Sequence, residues 1–283
     1  MEKYRLLRER LEGTGQFRFE PGPLADVEDI LRTHDADYVH RFLEGKLDEA
    51  EIRRIGFPKV PELIARTLSS VGSTVEASHN ALEYGWCGVL AGGTHHAFRD
   101  FGSGFCVFND IAIAIDHLLF HGLIHKAAVI DLDVHQGDGT ASICANRSEV
   151  FTFSAHGRHN FPFRKQQSSL DLEFENGIGD SEYLERLSEV LPKVLAFGAD
   201  LVFYQAGVDA LATDRLGKLS LSQEGMRRRD ELVFSSLSAA KLPFVVTLGG
   251  GYSEPISCTI EAAANTYLEA LRAMSPTLSR PLE

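Results

Sequence analysis

Between Ala127 and Thr140 the chain reads A-A-V-I-D-L-D-V-H-Q-G-D-G-T. Asp131, Asp133 and His135 are spaced two apart, so along an extended backbone they project from one face. Two carboxylates and an imidazole brought together repel one another, or bury charge at a steep cost, unless a cation holds them. Asp-x-His at a strand end is therefore read as a metal site. Asp209, in Y-Q-A-G-V-D at 204–209, stands at the end of a second apolar run. Asp133, His135 and Asp209 would be three protein ligands with a position left open, the arrangement of a catalytic centre that activates water rather than of a closed structural site.

Two further stretches carry matching chemistry. In G-G-T-H-H at 92–96 the adjacent His95 and His96 would point to opposite faces of a regular strand, so they share a pocket only if Gly92-Gly93 breaks the strand. Two such imidazoles can differ in protonation, one acting as base toward water and the other as a charged partner. Tyr252 follows three glycines and has the hydroxyl needed to polarise a carbonyl. Taken singly these features have plain readings: Asp131 as a strand-end cap, His95-His96 as a packed polar pair, Tyr252 as a core tyrosine. Together they point to metal-assisted amide hydrolysis. His34 and His40 are read as structural or surface residues. His117, His121 and His125 are read as the polar face and following loop of a helix, because the i, i+4 pair lacks an acid partner in its own motif.

The elements that must position these residues alternate strand with helix. Apolar runs at 86–91, 127–130, 150–154, 201–204 and 244–248 read as buried strands. Helices are expected over 1–12, 25–31, 33–42, 62–83, 108–122, near 141, and over 183–197, 222–240 and 255–274, with 164–180 a long polar loop. The order predicts an α/β fold in a single domain over 1–283, a mostly parallel sheet with helices on both faces. In such sheets ligands sit beyond the carboxyl ends of the strands, where His95-His96, Asp131 to Asp138, Asp209 and Tyr252 all fall.

With 283 residues and a formal charge of -12, the chain is long enough for a full core and lacks the basic balance of a nucleic-acid binder. An acidic chain suits a cationic substrate such as a lysine-bearing peptide. Cys87, Cys106, Cys144 and Cys258 show no C-x-x-C spacing, which implies a reducing, cytoplasmic setting rather than a disulfide framework. No apolar run approaches the length needed to span a bilayer.

The strings G-G-T-H-H-A-F at 92–98, G-S-G-F-C-V-F-N-D at 102–110, D-L-D-V-H-Q-G-D-G at 131–139, Y-Q-A-G-V-D at 204–209 and G-G-G-Y at 249–252 resemble, in order, the motif series of the histone deacetylase family. T-D-R-L-G-K-L-S-L-S at 213–222 and R-D-E-L-V-F at 229–234 are most similar to its class IV members and their bacterial relatives. The resemblance implies an arginase/deacetylase-like fold, with zinc on Asp133, His135 and Asp209 and Tyr252 polarising the acyl carbonyl. His95 and His96 would be the catalytic pair, backed by Asp131 and Asp138 respectively. Gly104, Phe105 and Phe161, with Gly250, would form the substrate channel that sleeves an acyl-lysine. A structural potassium ion is implied near the carbonyls of Asp131, Asp133 and His135 and near Ser154 and Ala155. The implied partner is an acyl-lysine peptide or protein, or an acylated small amine such as an acetylpolyamine, with no nucleic acid and no membrane.

The pattern departs from the family in two places. Family members begin with an extended segment upstream of the position of Met1, so the resemblance implies that the first strand is lacking, with an exposed sheet edge and an altered pocket wall. The loop before Pro61 has no counterpart of the aspartate with which class I enzymes grip the substrate backbone. An arginase-like two-metal centre would need an acid at Gly137, so a single metal is favoured. Two carboxylates and one imidazole make a harder donor set than three histidines, so Fe(II) or Co(II) could compete with Zn(II) according to availability. A non-catalytic acyl-lysine reader built on the same scaffold is the alternative from a different class, and the complete ligand set with Tyr252 speaks against it. The sequence leaves the oligomeric state open.

Overall fold

The computed structural model describes residues 2–275; Met1 and 276–283, which the single-domain reading includes, lie outside the described residues. Five helices open the chain: α1 (Glu2–Glu12), α2 (Val27–Thr33), α3 (Ala36–Leu43), α4 (Glu49–Ile55) and α5 (Glu62–Tyr84). Then follow β1 (Trp86–Gly88), α6 (Asp110–Phe120), β2 (Ala127–Asp131), α7 (Asp138–Ile143), β3 (Val150–Gly157) and β4 (Leu170–Phe174). The last third holds α8 (Asp180–Leu195), β5 (Leu201–Gln205), α9 (Gln223–Ala239), β6 (Phe244–Thr247) and α10 (Ile256–Met274).

The six strands form one sheet in the order β1-β6-β5-β2-β3-β4, and every neighbouring pair is parallel. Side-chain alternation divides the core in two. Ala128 and Ile130 of β2, Val202 and Tyr204 of β5, and Phe244 and Val246 of β6 pack with Leu187, Phe234 and Tyr267 from α8, α9 and α10. Ala127, Val129, Leu201, Phe203 and Val245 face the other way, onto Ala77 and Ala81 of α5 and Ile111 and Ile115 of α6. A third cluster, including Ile30, Tyr38, Phe42 and Ile55, seats α2, α3 and α4 against Phe108 and Ile113. Among the described residues no helix is long and apolar enough to cross a membrane.

Three elements differ from the sequence expectation. The expected polar loop at 164–180 contains β4, an edge strand whose L-D-L-E-F alternation leaves its first four residues only half-buried, which weakens its apolar signal. The strand expected over 86–91 pairs with β6 only as far as Gly88, after which Gly92 and Gly93 turn the chain at positive φ. Helix α4 was not anticipated, although its signals are present. Asp48 and Glu51 form a capping box, and Gly56 closes the helix in the left-handed conformation.

Candidate active site

Where β2 ends, the chain leaves the sheet but keeps its alternation. Leu132 and Val134 remain in the core, which sends Asp131, Asp133 and His135 to the other side. The backbone here is held by its own carboxylates. Asp131 Oδ1 accepts from the Asp133 N–H at 3.1 Å and Asp133 Oδ1 from the His135 N–H at 3.0 Å. From the end of β5, Asp209 Oδ1 accepts from the Val134 N–H at 2.8 Å; from the loop after β6, the Gly250 N–H donates to Asp133 Oδ2 at 2.7 Å. Glycine is required for this fit, since a Cβ on Gly250 would lie 1.9 Å from Asp209 Oδ2 and one on Gly207 2.2 Å from Asp133 Oδ2.

His135 Nδ1 lies 3.1 Å from Asp133 Oδ1 and 3.0 Å from Asp209 Oδ2, and the donor atoms of the three residues all fall within 4.8 Å of one another. Burial, with the charge of Asp133 added, pushes Asp209 up to about 6. Burial also works to raise Asp133, but the bond from His135 and the charge of His95 carry it well below the ordinary carboxylate range. For His135 burial favours the neutral ring, and the two carboxylates outweigh it and lift the imidazole to about 10. The cluster thus grips a proton between two buried carboxylates, at the place where a metal would sit. Two oxygens and one nitrogen fit Zn(II), Fe(II) or Co(II).

His95 and His96 lie beside this cluster, both buried, with ring centroids 4.1 Å apart. Their Nδ1 atoms pair with different carboxylates, His95 with Asp131 Oδ2 and His96 with Asp138 Oδ1, each at 2.7 Å. The two rings are driven in opposite directions. Burial disfavours the charge on His95, but Asp131, with Asp133 and Asp138 behind it, overcomes this and raises it to about 9. On His96 burial, followed by the charge of His95, prevails over Asp138 and lowers it to about 4.

These groups line a cavity of about 680 Å³. Gly104, at φ 53°, runs against His96, where a Cβ would lie 2.7 Å from the ring. Phe105 takes a left-handed φ of 64° and remains 47% exposed at the wall, 5.5 Å from the Phe57 ring. Phe161 meets His96 edge-on at 5.0 Å. Tyr252 is held through its N–H, which donates to Asp214 Oδ2 at 2.6 Å, and burial pushes its hydroxyl above the ordinary tyrosine range. Ser154 is the register partner of Asp131 on β3, and Ala155 follows it.

Sequence reasoning left several positioning groups without a role. Asp110, at the start of α6, accepts from the N–H groups of Gly93 (2.9 Å) and Thr94 (2.7 Å) and from the Thr94 and Thr74 hydroxyls, each at 2.6 Å. Gln205 donates to the Gly93 carbonyl at 2.9 Å from the end of β5. Together they fix the turn that presents His95 and His96. Arg229, fully buried, donates to the carbonyls of Leu132 and Gly207 from behind the strand ends. Lys3 Nζ donates to the Gly249 carbonyl at 3.0 Å and sits 4.7 Å over the Tyr252 ring. For Asp110 a signal existed, an acid just after the Asn109 cap; for Lys3 there was none.

Of the other histidines, His159 reaches the cavity wall, whereas His34, His40 and His125 lie apart from it. His34 is buried between the Arg99 carbonyl and the Asn109 N–H, and burial lowers it to about 4. His40 and His125 are exposed.

A single parallel sheet with a mixed carboxylate and histidine cluster at its carboxyl edge is the architecture of the arginase/deacetylase class. The histone deacetylase domain model matches residues 1–268, and the chain belongs to the histone deacetylase family, a family of amidohydrolases. It is 44% identical to an uncharacterized protein of Picosynechococcus over 90% of this chain and 87% of that one. It is 32% identical to histone deacetylase 2 of Arabidopsis thaliana, covering 79% of this chain and 60% of the plant protein. It is 28% identical to the histone deacetylase-like amidohydrolase of Pseudomonas aeruginosa over 85% of this chain and 68% of that one. The fold matches that of an acetylpolyamine aminohydrolase from Burkholderia pseudomallei with a TM-score of 0.77 at 21% identity, covering 95% of this chain and 90% of that chain.

Proposed function

We propose that the chain is a metal-dependent deacylase that hydrolyses the amide of an N-epsilon-acyl-lysine. The observation that carries this reading is the convergence, in one cavity, of Asp133, His135 and Asp209 with the differently protonated pair His95 and His96 and with Tyr252. When bound on Asp133, His135 and Asp209, a divalent ion supplies Lewis acidity toward water and the acyl carbonyl.

The remaining steps belong to the side chains. Asp138 holds His96 by Nδ1, leaving Nε2 of a ring kept neutral by burial to accept the proton of the attacking water and later pass it to the leaving lysine amine. Asp131 holds His95 in the charged form, where it stabilises the negative charge that develops on oxygen as water adds to the acyl carbonyl. Tyr252, kept protonated by burial, donates to the carbonyl oxygen as it gains charge. Phe105 and Phe161 flank the lysine methylenes, and Gly104 and Gly250 leave room for the chain. The proposal includes a structural potassium ion where Asp131, Asp133 and His135 run beside Ser154 and Ala155. It also includes a single catalytic domain and a cytoplasmic setting, which suits the four unpaired cysteines.

The cavity wall favours acyl-lysine over an acylated polyamine. Lys3, Arg54, Arg66 and Lys218 line it, and among the described residues its carboxylates are those of Asp133 and Asp209. None of the four cations pairs with a carboxylate among the described residues. A polyamine would bring further ammonium groups into this field, whereas an acylated lysine side chain is uncharged. The net charge of the chain therefore does not set the field at the cavity.

The test is hydrolysis of a fluorogenic lysine panel carrying acetyl, trifluoroacetyl and long-chain acyl groups, beside acetylated putrescine, with zinc and with a chelator. Chelator-sensitive release from acyl-lysine, faster than from the polyamine, is expected. Faster polyamine turnover would replace the substrate class, and a metal-loaded chain inert toward every substrate would make this a binding homologue.

A further inference from the structure

A second group of histidines gathers on the helical side of the molecule. Asp29 of α2, His117 near the end of α6 and His121 at its cap place one donor atom each within 4.8 Å of one another. Asp29 is buried, His117 half-buried and His121 exposed. The His117 and His121 rings lie 4.5 Å apart, as their i, i+4 spacing dictates. From α5, His79 reaches the same place, its Nε2 3.0 Å from His117 Nε2.

The hydrogen bonding of His117 is incomplete. Its Nδ1 is buried and lies 2.9 Å from Asp29 Oδ1, yet off the direction a hydrogen bond needs, so that it is left without a partner. Its other nitrogen is engaged by His79. One of two facing Nε2 atoms must donate and the other accept. In the tautomer in which His117 donates from Nε2 to His79, its Nδ1 presents a bare lone pair beside the Asp29 carboxylate. Two acceptors at that distance repel unless a cation lies between them, and an orphaned buried polar atom calls for such an explanation.

We propose that Asp29, His117 and His121 form a second site for a divalent transition metal, with zinc the reference ion, and that His79 orients His117 within it. An imidazole ligand fixed through its second nitrogen is the usual construction of such sites. The Arg32 guanidinium pairs with the same Asp29 oxygen, so the carboxylate is shared and the site is weaker than one with a free acid. The ion joins α2 to α6, and through His79 to α5. Helix α6 carries Asp110, the anchor of the catalytic turn, at its first residue and this site at its far end, about 16 Å away at 1.5 Å per residue. The site is a staple for the scaffold that presents His95 and His96.

The experiment is calorimetric titration of the chelator-stripped full chain with Zn(II), alongside Asp209→Asn, His117→Asn and His121→Ala. The wild type is expected to take up two ions, and each variant one. His121 is exposed at a helix cap, so its replacement does not endanger folding, and circular dichroism checks the others. If His117→Asn and His121→Ala take up as many ions as the wild type, the second site is overturned. A wild type binding one ion that Asp209→Asn abolishes and His121→Ala spares refutes the second site while leaving the catalytic reading intact. The reverse pattern refutes the catalytic metal centre and keeps the second site.

Discussion

Two clusters of carboxylate and imidazole occur in this molecule, and they are built in different ways. At the strand ends, Asp133 and Asp209 are almost wholly buried, and each accepts hydrogen bonds from backbone N–H groups of neighbouring segments. Glycines at 207 and 250 let the backbone close on them. On the helical side, Asp29, His117 and His121 come from two helices and a cap, their ring at 121 stands in solvent, and the carboxylate is shared with an arginine. The first cluster is fixed by backbone and lines a cavity; the second is fixed by helix packing. Rigid placement beside a cavity is what reaction demands, whereas joining helices requires only that the donors meet.

The largest effect that would break this contrast comes from Asp209→Asn. Turnover of acyl-lysine is expected to fall below detection, with one ion lost, whereas losing the helical ion through His121→Ala leaves turnover per bound catalytic metal near wild type; equal losses of turnover in the two variants would erase the distinction. Next comes Tyr252→Phe. It removes a donor to developing charge, so kcat should drop by about 10²–10³-fold while zinc stoichiometry at both clusters stays as in the wild type; an unchanged kcat removes Tyr252 from the mechanism.

Asp110→Ala probes the scaffold that lies between the clusters. It strips partners from the N–H groups of buried Gly93 and half-buried Thr94; at about 1–3 kcal/mol for an orphaned buried group, urea unfolding should show a loss of roughly 3 kcal/mol. Zinc binding at Asp29, His117 and His121 should be little changed, because those donors lie at the other end of α6. A loss below about 0.5 kcal/mol would show that the turn is held by other means.

The smallest expected effect is a titration. His95 is raised to about 9, so it keeps its proton as pH climbs through neutrality and loses it only near that value, while His96, lowered to about 4, is neutral throughout. Asp131→Asn removes the carboxylate that overcomes burial, so His95 should release its proton at lower pH. Histidine ring ¹⁵N shifts of the metal-free chain read this directly, and an unmoved His95 would mean that Asp131 does not set its charge.

Much of the first cluster was legible because its information is local. Asp131, Asp133 and His135 share a face through the period of an extended chain, and the apolar run before them marks the buried strand that carries them. The parallel sheet followed from the alternation of elements in the same way. Strand β4 was missed because an edge strand that is half-buried on both faces has little apolar contrast with a loop. Asp110 and Gln205 were passed over because their acceptors and donors, at Gly93 and Thr94, are close only after folding.

The sequence by itself determined the fold class, the strand ends that carry polar chemistry, and the resemblance that names the family, since each is built from short strings that can be read one at a time along the chain. Tertiary structure alone decided three things. It set opposite protonation on two adjacent histidines, because burial and the choice of carboxylate partner differ from ring to ring. It gave an acidic chain a cavity lined by cations, because the sign of the field depends on which side chains converge there. It also brought Asp29 and His79 to His117 and His121, a pair that had lacked an acid in its own motif. Helix packing supplied that acid from far along the chain, and no local period records such a meeting.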